Sequence, residues 1–369
     1  MLRTELCEMV GIKHPIIQAG MGPYSTNNLA VAAANAGALG LMTSSGYAYL
    51  MGSQEGGVAD VVRRLTDGTP GSPTEHLKKA FYRTKDGTKE AGGIFGVNVM
   101  VSVEMRWWAG EVLRVVSEVR NEDPEMRERF RVVLTSAGDP LPMAEIIKPL
   151  GVKWFHVVPS VRHAKRAERA GVDLIVASGH EGGMHIAWEP VHSMVLLPAV
   201  VNSVSTPVAG AGGFCDGATL VAALALGAVG VQMGTRFLTT KESEFTEMHK
   251  NYVLKSGERD TTVARGVVGP ARYLKNEASM ALTQITVSKA PGLYMGQPDD
   301  LTTVASEVMK VEDEGFEGLF KEDEPKALIP GGEVAGRVDD IPTAKELIDR
   351  VMEQAEEIIR NLPQKLAKK

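Results

Sequence analysis

Apolar positions along the chain fall into short continuous runs separated by helix-length segments. The runs at 15–18, 38–42, 94–99, 130–134, 154–158, 174–177, 207–209 and 230–233 read as eight strands. Continuous rather than alternating apolar runs are expected of strands buried on both faces. Between them, the Ala-rich segment 27–36 stops at Gly37, and the amphipathic segment 161–170 stops at Gly171, the residue suited to a left-handed helix end. Strands alternating with helices in this way predict an α/β protein, specifically a (β/α)8 TIM barrel whose functional loops follow the strands. A doubly wound sheet is the alternative.

Two regions break the rhythm and set the expected domains. Residues 1–240 form the barrel core, with an insertion after strand 2 at 43–93 that includes GSQEGG at 52–57 and is long enough for a lid. Residues 241–330 form a small helical accessory lobe over the mouth, and 331–369 a C-terminal segment whose helix packs back on the barrel. In that segment Thr343 and Glu346 have capping-box spacing, and Leu347, Ile348, Val351, Met352, Ala355, Ile358, Ile359 and Leu362 form a stripe at helical period.

Charge and composition narrow the function. The formal net charge of −6 and the short like-charge runs argue against nucleic acid or an anionic membrane surface as partner. No run reaches the ~18 apolar residues of a spanning helix, and the N-terminus lacks the apolar core of a signal peptide. With Cys7 and Cys215 as the only cysteines, a reducing, cytoplasmic setting is expected. Glycine is the departure: 39 of 369 residues, about 11% against a usual ~7%.

Part of that glycine has an address. GMG at 20–22, HEGGMH at 180–185, GAGGF at 210–214 and QMGT at 232–235 each follow a strand. On one barrel rim they would bring main-chain N–H groups close to an anion, in the place where such barrels bind phosphate. Neither a P-loop nor a dinucleotide GxGxxG is present, so a mononucleotide or sugar phosphate is expected, with FMN foremost. No metal site is expected: His180 and His185 lie five apart on a glycine loop without an accompanying carboxylate or cysteine cluster.

These segments resemble the nitronate monooxygenase (2-nitropropane dioxygenase) family of FMN-dependent barrels, which includes quinone reductases and flavin enoyl reductases. The resemblance is carried by KHPIIQAGMG at 13–22, FGVNVM at 95–100, VDLIVASGHEGGMH at 172–185, PVAGAGGFCDG at 207–217, GAVGVQMGTRFLTTKES at 227–243 and GPARYLKN at 269–276. It implies that Ala19, Gly20 and Met21 lie against the flavin, with Asn98 hydrogen-bonding it and Ser178 at its edge. Gly182, Gly183, Gly212, Gly213, Gln232, Met233, Gly234 and Thr235 would hold the phosphate and ribityl chain. His185 would be catalytic, and His180 and Met184 would bind substrate. The chain departs from the family pattern at Gly20, where proline is usual, at Ser178, where glutamine is usual, and at Met184, where glycine is usual.

The implied activity is FMN-dependent oxidation of alkyl nitronates, or similar acidic-carbon substrates, with O2. The alternative is NAD(P)H-dependent reduction of a quinone or of an enoyl or enone thioester. A non-enzymatic flavin or sugar-phosphate binder is the remaining class. Expected partners are a small-molecule substrate, O2 or NAD(P)H, and a second copy of the chain in a homodimer. Cys215 is not expected to be a nucleophile, and Arg236, Glu242, Arg272 and Asn276 are expected to be structural.

Overall fold

The structure is a computed structural model that describes residues 2–24, 26–48, 50, 63–297 and 306–367. The GSQEGG stretch at 52–57 lies outside the described residues.

All eight expected strands are present. They are β1 (Ile16–Gln18), β2 (Leu39–Thr43), β3 (Phe95–Met100), β4 (Phe130–Ser136), β5 (Lys153–Val158) and β6 (Leu174–Ser178), then β8 (Val208–Ala211) and β9 (Val231–Met233). A two-residue strand, β7 (Met184–His185), falls between them. The eight run parallel, and the circle closes between β9 and β1 through Ile16↔Val231, Ile17↔Gln232 and Gln18↔Met233. That closure selects the barrel over the doubly wound sheet.

Side-chain alternation splits the apolar runs into two cores. Inside the barrel lie Leu39, Leu41, Val132, Leu134, Phe155, Leu174, Val176, Ala209 and Ala211; Leu6, Cys7 and Val10 of the helix Glu5–Val10 belong to the same cluster and close one end. Their neighbours Ile16, Val133, Trp154, Val158, Ile175 and Val231 face outward and meet the helices. Both faces of each strand are therefore dry, which is why the runs read as continuous.

The helices begin and end where local chemistry dictates. The helix Val161–Ala170 starts on Ser160, whose hydroxyl accepts from His163 N, and stops at Gly171 with φ 82°. The crossover from β2 to β3 is the helix Pro73–Gly87, opened by a Ser72/Glu75 capping box. Thr343 and Glu346 likewise form the expected capping box of Ala344–Leu366. The stripe of this helix is buried as far as Ala355, whereas Ile359 and Leu362 are exposed. It packs against the helix Gly217–Ala225 so tightly that a Cβ on Gly217 would lie 2.4 Å from Val351 O.

The lobe carries the helices Glu247–Lys255, Glu277–Lys289 and Ser306–Phe320, and also an antiparallel sheet that the sequence reading did not anticipate. Its strands are β10 (Thr261–Arg265) and β11 (Pro270–Leu274), with β7 as the third, registered Ala271↔His185 and Arg272↔Met184. Through β7 the lobe is stitched to the loop after β6.

Candidate functional site

At the C-terminal ends of the strands, pleat alternation turns Asn98, Ser136, Ser178 and Gln232 into the barrel mouth, one layer above the apolar interior. The layer is polar where the one below is dry. Ser136 Oγ donates to Asn98 Oδ1 at 3.0 Å, and Asn98 Nδ2 lies 3.4 Å from Gly20 O. Asn98 is thereby fixed beside the loop that follows β1. Gln232 Oε1 is buried without a partner among the described residues.

Ala19, Gly20 and Met21 run along the rim from β1 to β9. Ala19 N donates to Met233 O at 3.0 Å, and a Cβ on Gly234 would sit 3.5 Å from Met21 Sδ. A Cβ on Gly20 would meet Met42 O at 2.6 Å and Asn98 Cβ at 2.8 Å, so only glycine allows this approach. The Met233 side chain, by contrast, is buried in the outer core, so it reaches the rim by main chain alone.

The glycine segments after β6, β8 and β9 meet as expected, though not every N–H is available. Gly182 N–H is used in a turn to Gly179 O. The N–H groups of Gly183, Gly212, Gly213 and Gly234 donate to no protein acceptor among the described residues. Gly212 and Gly213 take successive positive φ values of 74° and 78°, a curl that turns consecutive N–H groups to one side. Free main-chain N–H groups on such a curl suit an anion such as phosphate.

One component of the rim was missed. Pro330-Gly331-Gly332-Glu333, from beyond the lobe, inserts between the β6 and β9 loops. Gly332 N donates to Thr235 Oγ1 at 3.0 Å, Glu333 N donates to Glu181 O at 3.0 Å, and a Cβ on Gly183 would lie 2.7 Å from Gly331 C. A further Gly-Gly pair in a chain whose other rim pairs follow strands was the available signal. No strand precedes this one to give it a place.

His185, on β7, is half-buried and its Nδ1 has no hydrogen-bond partner among the described residues. Burial pushes its imidazole down to about 4, so it is neutral at pH 7. Met184 beside it has φ 58°, the left-handed conformation that favours glycine. The departure seen in sequence is thus also a backbone strain. Its side chain packs towards Ala264, Ala271, Tyr273, Leu282, Val308 and Leu328 of the lobe.

His180 is also half-buried, with an unpartnered Nδ1 and an edge-on contact to His192 at 5.6 Å between centroids. Burial first, then Arg272 and His192, push it down to about 4. Arg272 braces this loop from β11: its Nη2 and Nε donate to His180 O at 2.9 and 3.2 Å, its Nη1 to Thr261 Oγ1 at 2.7 Å, and it pairs with Glu333 at 3.1 Å. Glu181 accepts from Ser193 N at 2.9 Å, at the start of the helix Ser193–Val201, and its Oε1 lies 3.5 Å from where a Cβ on Gly213 would stand.

The remaining residues singled out by sequence are structural. Arg236 pairs with Asp340 at 2.5 Å, and Glu242 accepts from Ala344 N at 2.9 Å, fastening the C-terminal segment. Asn276 caps the helix Glu277–Lys289 and donates to Ala327 O within the lobe. Cys215 is buried, and burial raises its thiol to about 11, which disables it as a thiolate. Among the described residues no His/Cys/Asp/Glu cluster could hold a metal, and no helix is long and apolar enough to cross a membrane.

The geometry therefore offers a free-N–H cradle, orphaned polar atoms at Gln232 and His185, and a polar layer between them, all of which suit a phosphate-bearing ring cofactor such as FMN. Comparison with known proteins gives the family. A family model described as nitronate monooxygenase matches residues 3–354. A Rhodococcus jostii (strain RHA1) protein named (3aS,4S,5R,7aS)-5-hydroxy-7a-methyl-1-oxo-octahydro-1H-indene-4-carboxyl-CoA dehydrogenase is 32% identical, covering 96% of each chain. A probable nitronate monooxygenase of Staphylococcus aureus (strain JH9) is 31% identical over 76% of this chain and 81% of its own. Among solved structures, FabK from Thermotoga maritima superposes with a TM-score of 0.77 and 28% identity, covering 99% of both chains.

Proposed function

The chain belongs to the nitronate monooxygenase family of flavin-dependent oxidoreductases, and from that premise we propose that it binds FMN at the barrel mouth and oxidises a carbon made acidic by a neighbouring acyl thioester. Gly183, Gly212, Gly213 and Gly234 would hold the phosphate through main-chain N–H groups, with the Thr235 hydroxyl beside them. Asn98 and Gln232 would hydrogen-bond the ring system, and Ala19, Gly20 and Met21 would pack against it. When bound, the flavin supplies a two-electron acceptor, which no side chain of this site can be.

What the protein contributes is positioning, exclusion of water and proton transfer. His185 is neutral, so its unpartnered Nδ1 is free to take a proton from the acidic carbon. Its place on β7 is fixed by pairing with β11, and the Arg272 fork holds the preceding loop, so the base is presented on ordered backbone. His180 would face the polar end of the substrate. The observation that carries the reading is this neutral, unpartnered imidazole on the strand between the free-N–H cradle and the lobe.

The thioester is favoured by the span of the likeness. The match to the CoA dehydrogenase runs over 96% of both chains, so it takes in the lobe that supplies β11. The second reading, oxidation of alkyl nitronates with O2, is supported by the family model and by the Staphylococcus protein. Anaerobic flavin bleaching separates the two: loss of the oxidised flavin spectrum with an alkyl nitronate and none with an acyl-CoA would overturn the thioester reading.

A further inference from the structure

Beside the mouth, a cavity of about 550 Å³ opens at the ends of β4 and β5. Its inner wall includes Val157 of β5 and Ala137 and Gly138, immediately past Ser136, whose hydroxyl holds Asn98. Its outer wall is the helix Val161–Ala170, which lines it with Arg162, Arg166 and Arg169. The spacing i, i+4, i+7 places all three on one helix face, spread over about 10 Å.

Only the middle arginine is neutralised. Arg166 grips Asp139 with Nε at 2.7 Å and Nη2 at 2.5 Å. Arg162 and Arg169 make no ion pair among the described residues. Glu168, the acidic residue of this helix, is turned to the main-chain N–H groups of Ser205 and Thr206. Burial first, then Arg162 and Arg166, lower the imidazole of His163 in the same wall, opposed by Glu189 and Asp139. In a chain of net charge −6, two uncompensated guanidinium groups lining one cavity are a feature that packing does not explain.

We propose that this cleft binds the phosphates of an adenosine ligand carrying both a diphosphate and a ribose phosphate, the chemistry shared by coenzyme A and NADPH. The two free arginines, at opposite ends of the face, match a ligand whose phosphates are also separated, and bidentate geometry suits guanidinium to each. The Ala137–Gly138 edge then leads the ligand's reactive end to the barrel mouth. For coenzyme A this inference rests on the thioester reading above; for NADPH it does not.

Isothermal titration of the FMN-loaded full chain with adenosine 3′,5′-bisphosphate, coenzyme A and NADPH tests it, with adenosine as the uncharged control. The phosphorylated probes are expected to bind, more weakly as salt is raised, and the Arg162→Glu/Arg169→Glu double variant to weaken binding at least about tenfold at unchanged FMN content. Tighter binding of coenzyme A than of NADPH identifies a thioester cleft, and the reverse a reductant cleft. Equal affinity in the double variant, or no binding of any phosphorylated probe, overturns the proposal. Arginine-dependent binding of the bisphosphate without flavin reduction by an acyl-CoA would keep the cleft and remove the thioester reading, whereas flavin reduction unaffected by the double variant would do the opposite.

Discussion

Met184 gives the most exacting test of the local physics, because it occupies a conformation its side chain disfavours. At φ 58° a residue with a Cβ loses about 1–2 kcal/mol relative to the right-handed region. Replacement by alanine keeps that cost and removes the packing of the thioether side against Ala271, Tyr273 and their neighbours. Replacement by glycine removes the same packing and also the strain, while the freer unfolded chain costs it about 0.4–1 kcal/mol. The side-chain loss cancels between the two variants. Met184→Gly should therefore be more stable than Met184→Ala by roughly 0.5–1 kcal/mol, the reverse of the ordinary order of these residues. Urea unfolding of both variants at saturating FMN, followed by intrinsic fluorescence, reads the difference as a shift in midpoint at constant slope. If the alanine variant proves the more stable by the usual half to one kcal/mol, Met184 is not strained and the backbone argument fails.

Three further outcomes follow from the site. His185→Gln should retain FMN yet lower kcat by roughly 10²–10⁴-fold; because burial holds the wild-type imidazole near 4, the acid limb of the wild-type kcat/KM profile should lie near pH 4 rather than near 6.5, activity being lost as the base protonates. His156 and His249 are buried and also pushed down to about 4, so the unfolded chain binds protons at a higher pH than the folded one. Stability should thus be flat above pH 6.5 and fall between 6.5 and 4, by up to about 3 kcal/mol for each such imidazole, and a thermal-unfolding series across that range shows it. Gly183→Ala would drive a Cβ to within 2.7 Å of Gly331 and Gly332; the purified protein is expected to be folded by circular dichroism but to carry much less flavin per chain, and full flavin occupancy would remove Gly183 from the cradle.

The fold was legible because the barrel strands are largely apolar on both faces and the helices 27–35 and 161–170 are followed by glycines with positive φ, Gly37 and Gly171. The glycine segments after β1, β6, β8 and β9 could be placed on one rim for the same reason: each follows a strand. The three-stranded sheet could not be read. β7 is two residues long, too short to show a period, and its partners Ala271 and Arg272 lie more than 80 residues away. Gly331 and Gly332 were missed because they follow the lobe helices rather than a strand, and only folding brings them against Gly183 and Thr235. The identity of Met184 was visible in sequence as a departure, but its positive φ was not. What sequence could name was composition at a position, and what it could not supply was the backbone conformation held there by a distant strand.

The most direct test of the account is the anaerobic mixing of the FMN-loaded protein with an alicyclic carboxyl-CoA, recorded in the visible flavin band for the wild type and for His185→Gln. The account predicts rapid loss of the oxidised flavin spectrum in the wild type, and a rate lower by roughly 10²-fold or more in the variant at equal flavin content. An oxidised spectrum that persists in the wild type, or bleaching at the same rate in both proteins, would contradict it.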